Sequence, residues 1–172
     1  EHPGPQCMRG VEAATGSLGH GLPIGNGLAI AAQLNNAPYR VYVLMSDGEC
    51  NEGSVWEAAM FAAAQKLSNL TAIIDFNKWQ ATGRSREVLA LDPLVDKWQA
   101  FGWDVVRLDG HDTQALHDAL TAAPDTQGRP RVVIADTVKG KGVSFMEDDN
   151  NWHYRVPTAE EVVLSKRELG LL

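Results

Sequence analysis

The chain has few cysteines, no long apolar run and no surplus of positive charge, and each shortage closes off a class of protein. Cys7 and Cys50 are its only cysteines, and they form no Cys-x-x-Cys pair. Neither a disulfide framework nor a structural zinc site is expected, and a reducing cytoplasm is the default location. No apolar stretch approaches the length of a bilayer span and no segment is laid out like a signal peptide, so no membrane partner is expected. The balance of 15 Lys and Arg against 22 Asp and Glu gives a formal charge of −7, which opposes nonspecific attraction to nucleic acid or an anionic membrane. A small anionic ligand remains admissible, because backbone N–H groups or a bound cation act locally and override the global field. Two nucleotide-binding signatures are also missing: a Gly-x-x-x-x-Gly-Lys-Ser/Thr loop, and a Gly-x-Gly-x-x-Gly between a first strand and its helix. The opening residues Glu1-His2-Pro3-Gly4-Pro5 lack an initiator methionine. That is expected of a chain with further sequence before it, or of one cut at a chosen boundary.

At 172 residues, 44% hydrophobic and 22% charged, the chain has the size and balance of one globular α/β domain. Residues 17–35 are rich in glycine and alanine and predict a helix packed closely against another backbone. Arg40 to Met45 is a short apolar run with β-branched residues, expected as a buried strand, and Ser46-Asp47-Gly48 breaks it. A helix follows over 54–67, with Glu57 expected in its first turn. A second strand over 70–74 ends at Asp75-Phe76-Asn77, and residues 78–92 read as a polar loop. Asp92-Pro93 starts another helix. A strand over 103–108, a helix over 113–123 and a strand over 131–135 come next. A Gly-, Asn- and Asp-rich loop then runs from Lys139 to about Pro157. Thr158-Ala159-Glu160-Glu161 carries the capping-box pattern of a final helix. Strands alternating with helices predict a three-layer α/β fold, a parallel sheet flanked by helices on both faces.

In open parallel sheets, ligands bind beyond the carboxyl ends of the strands. Ser46-Asp47-Gly48 and Asp75-Phe76-Asn77 both fall at such ends, and if their strands are neighbours, Asp47 and Asn77 face one crevice. Their side-chain oxygens suit a hard divalent cation such as Mg2+, which needs few protein ligands when a diphosphate supplies others. Gly48 lets the chain approach closely, and the helix that follows directs N–H groups towards phosphate. Taken alone, Asp-Gly after a strand is more often a turn, and Asn77 alone is more often a loop cap.

Four stretches in fixed order add a resemblance. Asp47-Gly48 and Asn77 resemble the thiamin-diphosphate motif, Gly-Asp-Gly followed after about thirty residues by Asn-Asn. Glu52-Gly53-Ser54-Val55-Trp56-Glu57-Ala58 is similar to the Glu-Gly-x-x-x-Glu-Ala signature that lies between the two halves. Residues 11–21 are similar to the glycine-rich segment of transketolases, and residues 137–145 to a loop of their N-terminal halves. Ser46 stands for the first glycine of the motif and Phe76 for the first asparagine, while the metal-binding positions Asp47 and Asn77 are intact.

The resemblance implies a transketolase-type N-terminal subunit or domain with the thiamin-diphosphate-binding fold, a single diphosphate- and Mg2+-binding domain over residues 1–172. Asp47, the Asn77 side chain and the Trp79 carbonyl would hold Mg2+. Gly48 would offer its N–H to the diphosphate, and Gly16 and Leu18 would border the aminopyrimidine ring. His2, followed by Pro3 as in the family, and His153 match histidines that face diphosphate or sugar. Glu52 and Glu57 match acidic residues that link paired active sites across the subunit contact, though near a helix N-terminus a carboxylate also serves the helix dipole alone. His20 lies in a variable segment, His111 and His117 read as surface positions on a helical stretch, and Glu147-Asp148-Asp149 reads as solvated loop.

Thiamin diphosphate supplies the carbanion chemistry, and the carboxylate that activates it belongs in this family to a pyrimidine-binding domain for which no sequence remains after Leu172. The expectation is therefore two-carbon ketol transfer between phosphosugars, as in the pentose phosphate pathway, with a C-terminal partner subunit in an α2β2 assembly or with the rest of a longer chain. Other thiamin enzymes remain as rivals, either a 2-oxo acid dehydrogenase α-subunit or a deoxyxylulose-phosphate synthase-like chain. A non-catalytic assembly subunit is a further one.

Overall fold

The computed structural model describes residues 2–4 and 7–172. Its helices are α1 (Gly21–Leu34), α2 (Gly53–Ala64), α3 (Ser85–Val88), α4 (Leu94–Ala100), α5 (Thr113–Thr121) and α6 (Ala159–Glu168). Its strands are β1 (Val41–Ser46), β2 (Leu70–Phe76), β3 (Trp79–Gln80), β4 (Gly83–Arg84), β5 (Asp104–Asp109) and β6 (Arg131–Asp136). The long strands form one parallel sheet in the order β1-β2-β6-β5, and β3 and β4 form a small antiparallel hairpin. The alternation of strand and helix thus yields the expected parallel sheet flanked by helices.

One face of the sheet carries the core. Val43, Leu70, Ile74 and Ile134 meet Leu22 and Ala29 of α1, Val55 and Ala59 of α2, and Leu94 and Trp98 of α4. Around Trp98 the aromatic rings of Trp56 and Trp103 lie 5.2 and 4.8 Å away, centroid to centroid. The indole of Trp103 donates to the Ala59 carbonyl at 3.0 Å, so the largest side chain at the start of β5 is both packed and satisfied. On the opposite face, α5 reaches the sheet where the Tyr42 hydroxyl donates to the Leu120 carbonyl at 3.1 Å.

Two expectations need correction. The 40–45 segment was expected to be buried, but β1 lies at the sheet edge. It buries Val41, Val43 and Met45 and leaves Tyr42 45% and Leu44 72% exposed. Its apolar composition hides this, because period-2 alternation is invisible where both faces are apolar. Residues 78–92 are not a plain polar loop: they hold the β3–β4 hairpin and the short helix α3, elements too short to leave a periodic signal. The capping box at Thr158 and Glu161 is present as the sequence predicts.

The glycine-rich α1 packs as its composition implies. A Cβ built on the buried Gly25 would sit 2.4 Å from Val43 Cγ2, whereas one on the exposed Gly27 would meet nothing within 4 Å. Val43 is β-branched and fixed in a strand, so it cannot yield cheaply. Gly25→Ala should therefore lower unfolding stability by about 1–2 kcal/mol after the helix-propensity gain is subtracted. Gly27→Ala should raise stability by about 0.4–1 kcal/mol. Urea unfolding of both variants checks the pair, and equal effects would remove the close approach of α1 to β1.

Candidate metal centre

The β1–β2 register sets Ser46 beside Asp75, which brings the residues after each strand into one crevice. Asp47 there is fully buried. Its Oδ2 accepts from the Lys78 N–H at 3.0 Å and from the Ser85 hydroxyl at 2.7 Å, and its Oδ1 accepts from the Gly48 N–H at 2.9 Å. Lys78 adopts φ +71°, a left-handed conformation uncommon outside glycine. It follows directly on Asn77, so the two halves of the sequence pattern are joined by one hydrogen bond.

Asn77 is oriented from both ends. Its Oδ1 accepts from the Trp79 N–H at 2.9 Å and its Nδ2 donates to Asp75 Oδ2 at 2.9 Å. The other Asp75 oxygen accepts from the Thr137 hydroxyl. An ionised carboxylate only accepts, so Asp75 fixes which end of the amide is nitrogen.

Burial pushes the Asp47 carboxyl above its ordinary range. The hydrogen bonds from Ser85, Gly48 and Lys78 pull it back, and the nearby Asp75 charge adds to the rise. Among the described residues no cationic side chain pairs with Asp47. Glu49, also buried, accepts from the Gly19 N–H at 2.9 Å. A buried carboxylate with no cationic partner is a place where a cation fits. Among the described residues no three His, Cys, Asp or Glu side chains cluster as a metal site. The donor set that the sequence pattern names here, from Asp47, Asn77 and Trp79, is one carboxylate, one carboxamide oxygen and a main-chain carbonyl. Such oxygen donors fit Mg2+ completed by phosphate and water, and do not fit zinc or copper.

The remaining expected residues divide into groups. Trp79 opens the hairpin, and its indole N–H donates to Asp148 Oδ1 at 2.8 Å. The Arg84 guanidinium stacks 3.7 Å above that indole and grips both Asp148 oxygens, at 2.7 and 2.5 Å. These bonds pull the Asp148 carboxyl down to about 2. Asp148 is therefore not the free solvated loop residue that sequence suggested; it ties the 139–157 loop to the hairpin. His2 lies against Gly16, where a Cβ would come within 2.5 Å of the imidazole Nε2. Leu18 is exposed. Gly48 has its N–H engaged by Asp47. His153 is exposed and stacks edge-on with Tyr154 at 4.6 Å. Among the described residues no hydrogen bond links His2 or His153 to Asp47 or Asn77.

Glu52 is the N-cap residue of α2 and makes no side-chain cap bond; Glu57, expected in the first turn, lies in the second. Both are exposed. His20 is the N-cap residue of α1 without a side-chain bond, and His117 is an exposed residue of α5. His111 lies before that helix rather than on it, and its Nε2 accepts from the Val138 N–H at 2.8 Å. The sequence carries no sign of Ser85 or Glu49, and shows Thr137 only as the first residue of the 137–145 stretch, because their partners are distant in the chain and leave no local pattern.

The model of the family described as "Transketolase, thiamine diphosphate binding domain" matches residues 1–172. The chain belongs to that family. It is 48% identical over 168 residues to an apulose-4-phosphate transketolase subunit from Actinobacillus succinogenes, covering 98% of this chain and 60% of that one. To the corresponding apulose-4-phosphate transketolase subunit from Phocaeicola vulgatus it is 46% identical over 161 residues, covering 94% of this chain and 57% of the relative. The transketolase crystal structure from Campylobacter jejuni superposes with a TM-score of 0.86 at 29% identity, covering 94% of this chain and 26% of that chain. This transketolase-family chain thus spans under two thirds of the curated relatives it matches, and its sheet is the thiamin-diphosphate-binding fold of solved transketolases.

At a metal centre of this kind, proton and cation would compete for Asp47. Because its folded carboxyl is raised, Mg2+ affinity should fall as pH drops through that raised value. The fall should begin at a higher pH than an unperturbed Asp, near pH ~3.9, would give. Ionising Asp47 costs the metal-free fold stability, so without Mg2+ its contribution moves the other way and improves on acidification. Thermal unfolding followed from neutral pH down to the acid limit of the fold, with and without Mg2+, reads both trends; a Mg2+ effect independent of pH over that whole range would remove Asp47 as the ligand.

Proposed function

We propose that this chain supplies the Mg2+- and diphosphate-binding half of a transketolase-type active site and works with a partner that supplies the pyrimidine-binding domain. The observation that carries the reading is the buried Asp47 carboxylate, without a cationic partner among the described residues and hydrogen-bonded to the residue that follows Asn77. Asp47, the Asn77 oxygen and the Trp79 carbonyl would hold the metal, and Gly48 would face the diphosphate. Thiamin diphosphate, when bound, supplies the carbanion chemistry that breaks and remakes a carbon–carbon bond beside a ketone. The protein's own part is to anchor, orient and neutralise. Gly16, Leu18, His2 and His153 border the same reading as residues for the aminopyrimidine, the diphosphate and the phosphosugar.

Both apulose-4-phosphate transketolase relatives are named as one subunit of their enzyme rather than as the whole of it, which supports a separate partner chain here. The outer face of α2 supports it too. Glu57 and Phe61 are four residues apart, hence on one side of the helix, and both are exposed along with Met60. An apolar patch beside an acidic residue suits a contact between chains, with Glu52 and Glu57 as the acidic links across it. Two-carbon ketol transfer between phosphosugars is the reaction this assembly would perform.

Purified without a partner, the chain should show no ketol transfer with xylulose 5-phosphate as donor, and addition of the pyrimidine-binding subunit should restore it. Substantial turnover by the chain alone would sink the split arrangement, and preference for pyruvate would point to another thiamin enzyme. In the complex, Asp47→Ala should abolish Mg2+-dependent cofactor binding in calorimetric titration; unchanged affinity would exclude the metal role.

A further inference from the structure

Gln80, the second residue of β3, was not singled out by the sequence pattern. Its side chain lies on Gly48: a Cβ built on that glycine would sit 3.3 Å from Gln80 Cγ, 3.7 Å from Cβ and 3.8 Å from Cδ. The Gln80 Nε2 is buried and has no hydrogen-bond partner among the described residues. Buried amide hydrogens are nearly always paired, because leaving one unmade forfeits its hydration with nothing in return. Here the orphan donor belongs to a side chain that lies on Gly48, the residue that follows Asp47. The chain's own acceptors there are already engaged: Asp47 takes three hydrogen bonds, and Asn77 Oδ1 takes the Trp79 N–H.

An unpaired donor at the edge of a cation site is complementary to an anionic oxygen that arrives with the cation. The hairpin explains how the donor is delivered. Trp79 and Gln80 pair with Arg84 and Gly83, and the Arg84–Asp148–Trp79 cluster holds that hairpin against the 139–157 loop. Gln80 is thus presented from a fixed strand rather than from a free loop.

We propose that Gln80 is a diphosphate-binding residue that donates its carboxamide N–H to a phosphate oxygen of the ligand held over Gly48. This rests on the reading of the site as a Mg2+–diphosphate centre. A hydrogen bond to a charged oxygen is among the stronger kinds. Its loss should weaken binding about tenfold, which is about 1.4 kcal/mol.

The test uses two probes, thiamin diphosphate and inorganic pyrophosphate, each titrated calorimetrically with Mg2+ into the chain mixed with its partner subunit. Gln80→Ala should weaken both probes about tenfold. It should leave the thermal stability of the ligand-free protein unchanged or raised, because an orphan donor is removed. Gln80→Glu should weaken both probes further by placing like charge against phosphate. Gln80→Met keeps the packing on Gly48 without the donor and should behave as Gln80→Ala. If the wild type binds both probes and Gln80→Ala binds them equally well, the inference fails while the reading of the site stands. Wild-type affinity in Gln80→Met would reduce the residue to packing, and tighter binding by Gln80→Glu would make it a cation ligand; either result overturns the proposal. If the wild-type complex binds neither probe, the reading of the site fails and takes the inference with it.

Discussion

A carboxylate held out of water at the end of β1 sets the terms for the surrounding loops. Placing an ionised Asp47 in a fully buried position costs several kcal/mol even after relaxation. The backbone answers with two N–H donors and Ser85 answers with a hydroxyl. These donors come from Gly48, from the turn after β2 and from the first residue of α3. The parallel pairing of β1 with β2, the left-handed Lys78 and the position of α3 are therefore parts of one solution. Their help is incomplete, since the carboxyl stays above its ordinary range. On the proposed reading, what remains uncompensated is the driving force for taking up a cation.

The same economy of polar ties extends outwards. Asp75 fixes the Asn77 amide and is itself held by Thr137 from the end of β6. Asp148 takes donors from both Trp79 and Arg84, and the Asn150 amide donates to the Ala81 carbonyl at 3.1 Å. His111 accepts from Val138, and Glu168 near the end of α6 receives both the N–H and the hydroxyl of Ser144. Loops at the carboxyl end of a sheet are ordinarily its most mobile parts. Here they are cross-linked to one another and, through the hairpin, to the atoms around Asp47. The 139–157 loop is thereby tied to Trp79, and through Lys139, Gly140 and Lys141 it also lines one cavity with Asp75 and Asn77.

The sequence made the sheet and the Asp47–Asn77 pair legible because both are local signals. Apolar runs ended by Asp-Gly or Asn mark strand termini, and parallel topology then follows from the intervening helices. It did not show that β1 is an edge strand, because Tyr42 and Leu44 are apolar in either setting. It also missed the roles of Ser85 and Asp148, which contact Asp47 and Arg84 across 38 and 64 residues. Long-range polar pairing leaves no periodicity, and an acidic triplet such as Glu147-Asp148-Asp149 looks solvated until its partners are placed. Glu57 was a smaller miss: starting α2 at Gly53 moves it one turn further along. Gln80 carries no signal at all in sequence, since its packing on Gly48 and its unpartnered amide both depend on where the hairpin is placed.

On the proposed reading, metal and diphosphate must depend on each other. The protein offers a 2+ cation one carboxylate and two neutral oxygens, and Mg2+ sheds its waters reluctantly for so few ligands. Mg2+ alone should therefore be held weakly, although it relieves the burial cost of Asp47. The diphosphate, for its part, meets a carboxylate-lined crevice in a chain of net charge −7. Without the cation it would be repelled by Asp47, which already holds the Gly48 N–H, and a free N–H donor such as that of Gln80 would be left to oppose that. Each ligand removes the obstacle to the other, and by linkage the factor by which Mg2+ raises diphosphate affinity equals the factor by which diphosphate raises Mg2+ affinity. The strength of that coupling comes from the charge of Asp47, so the residue that makes the empty site costly is also the one that makes the two ligands bind as a pair.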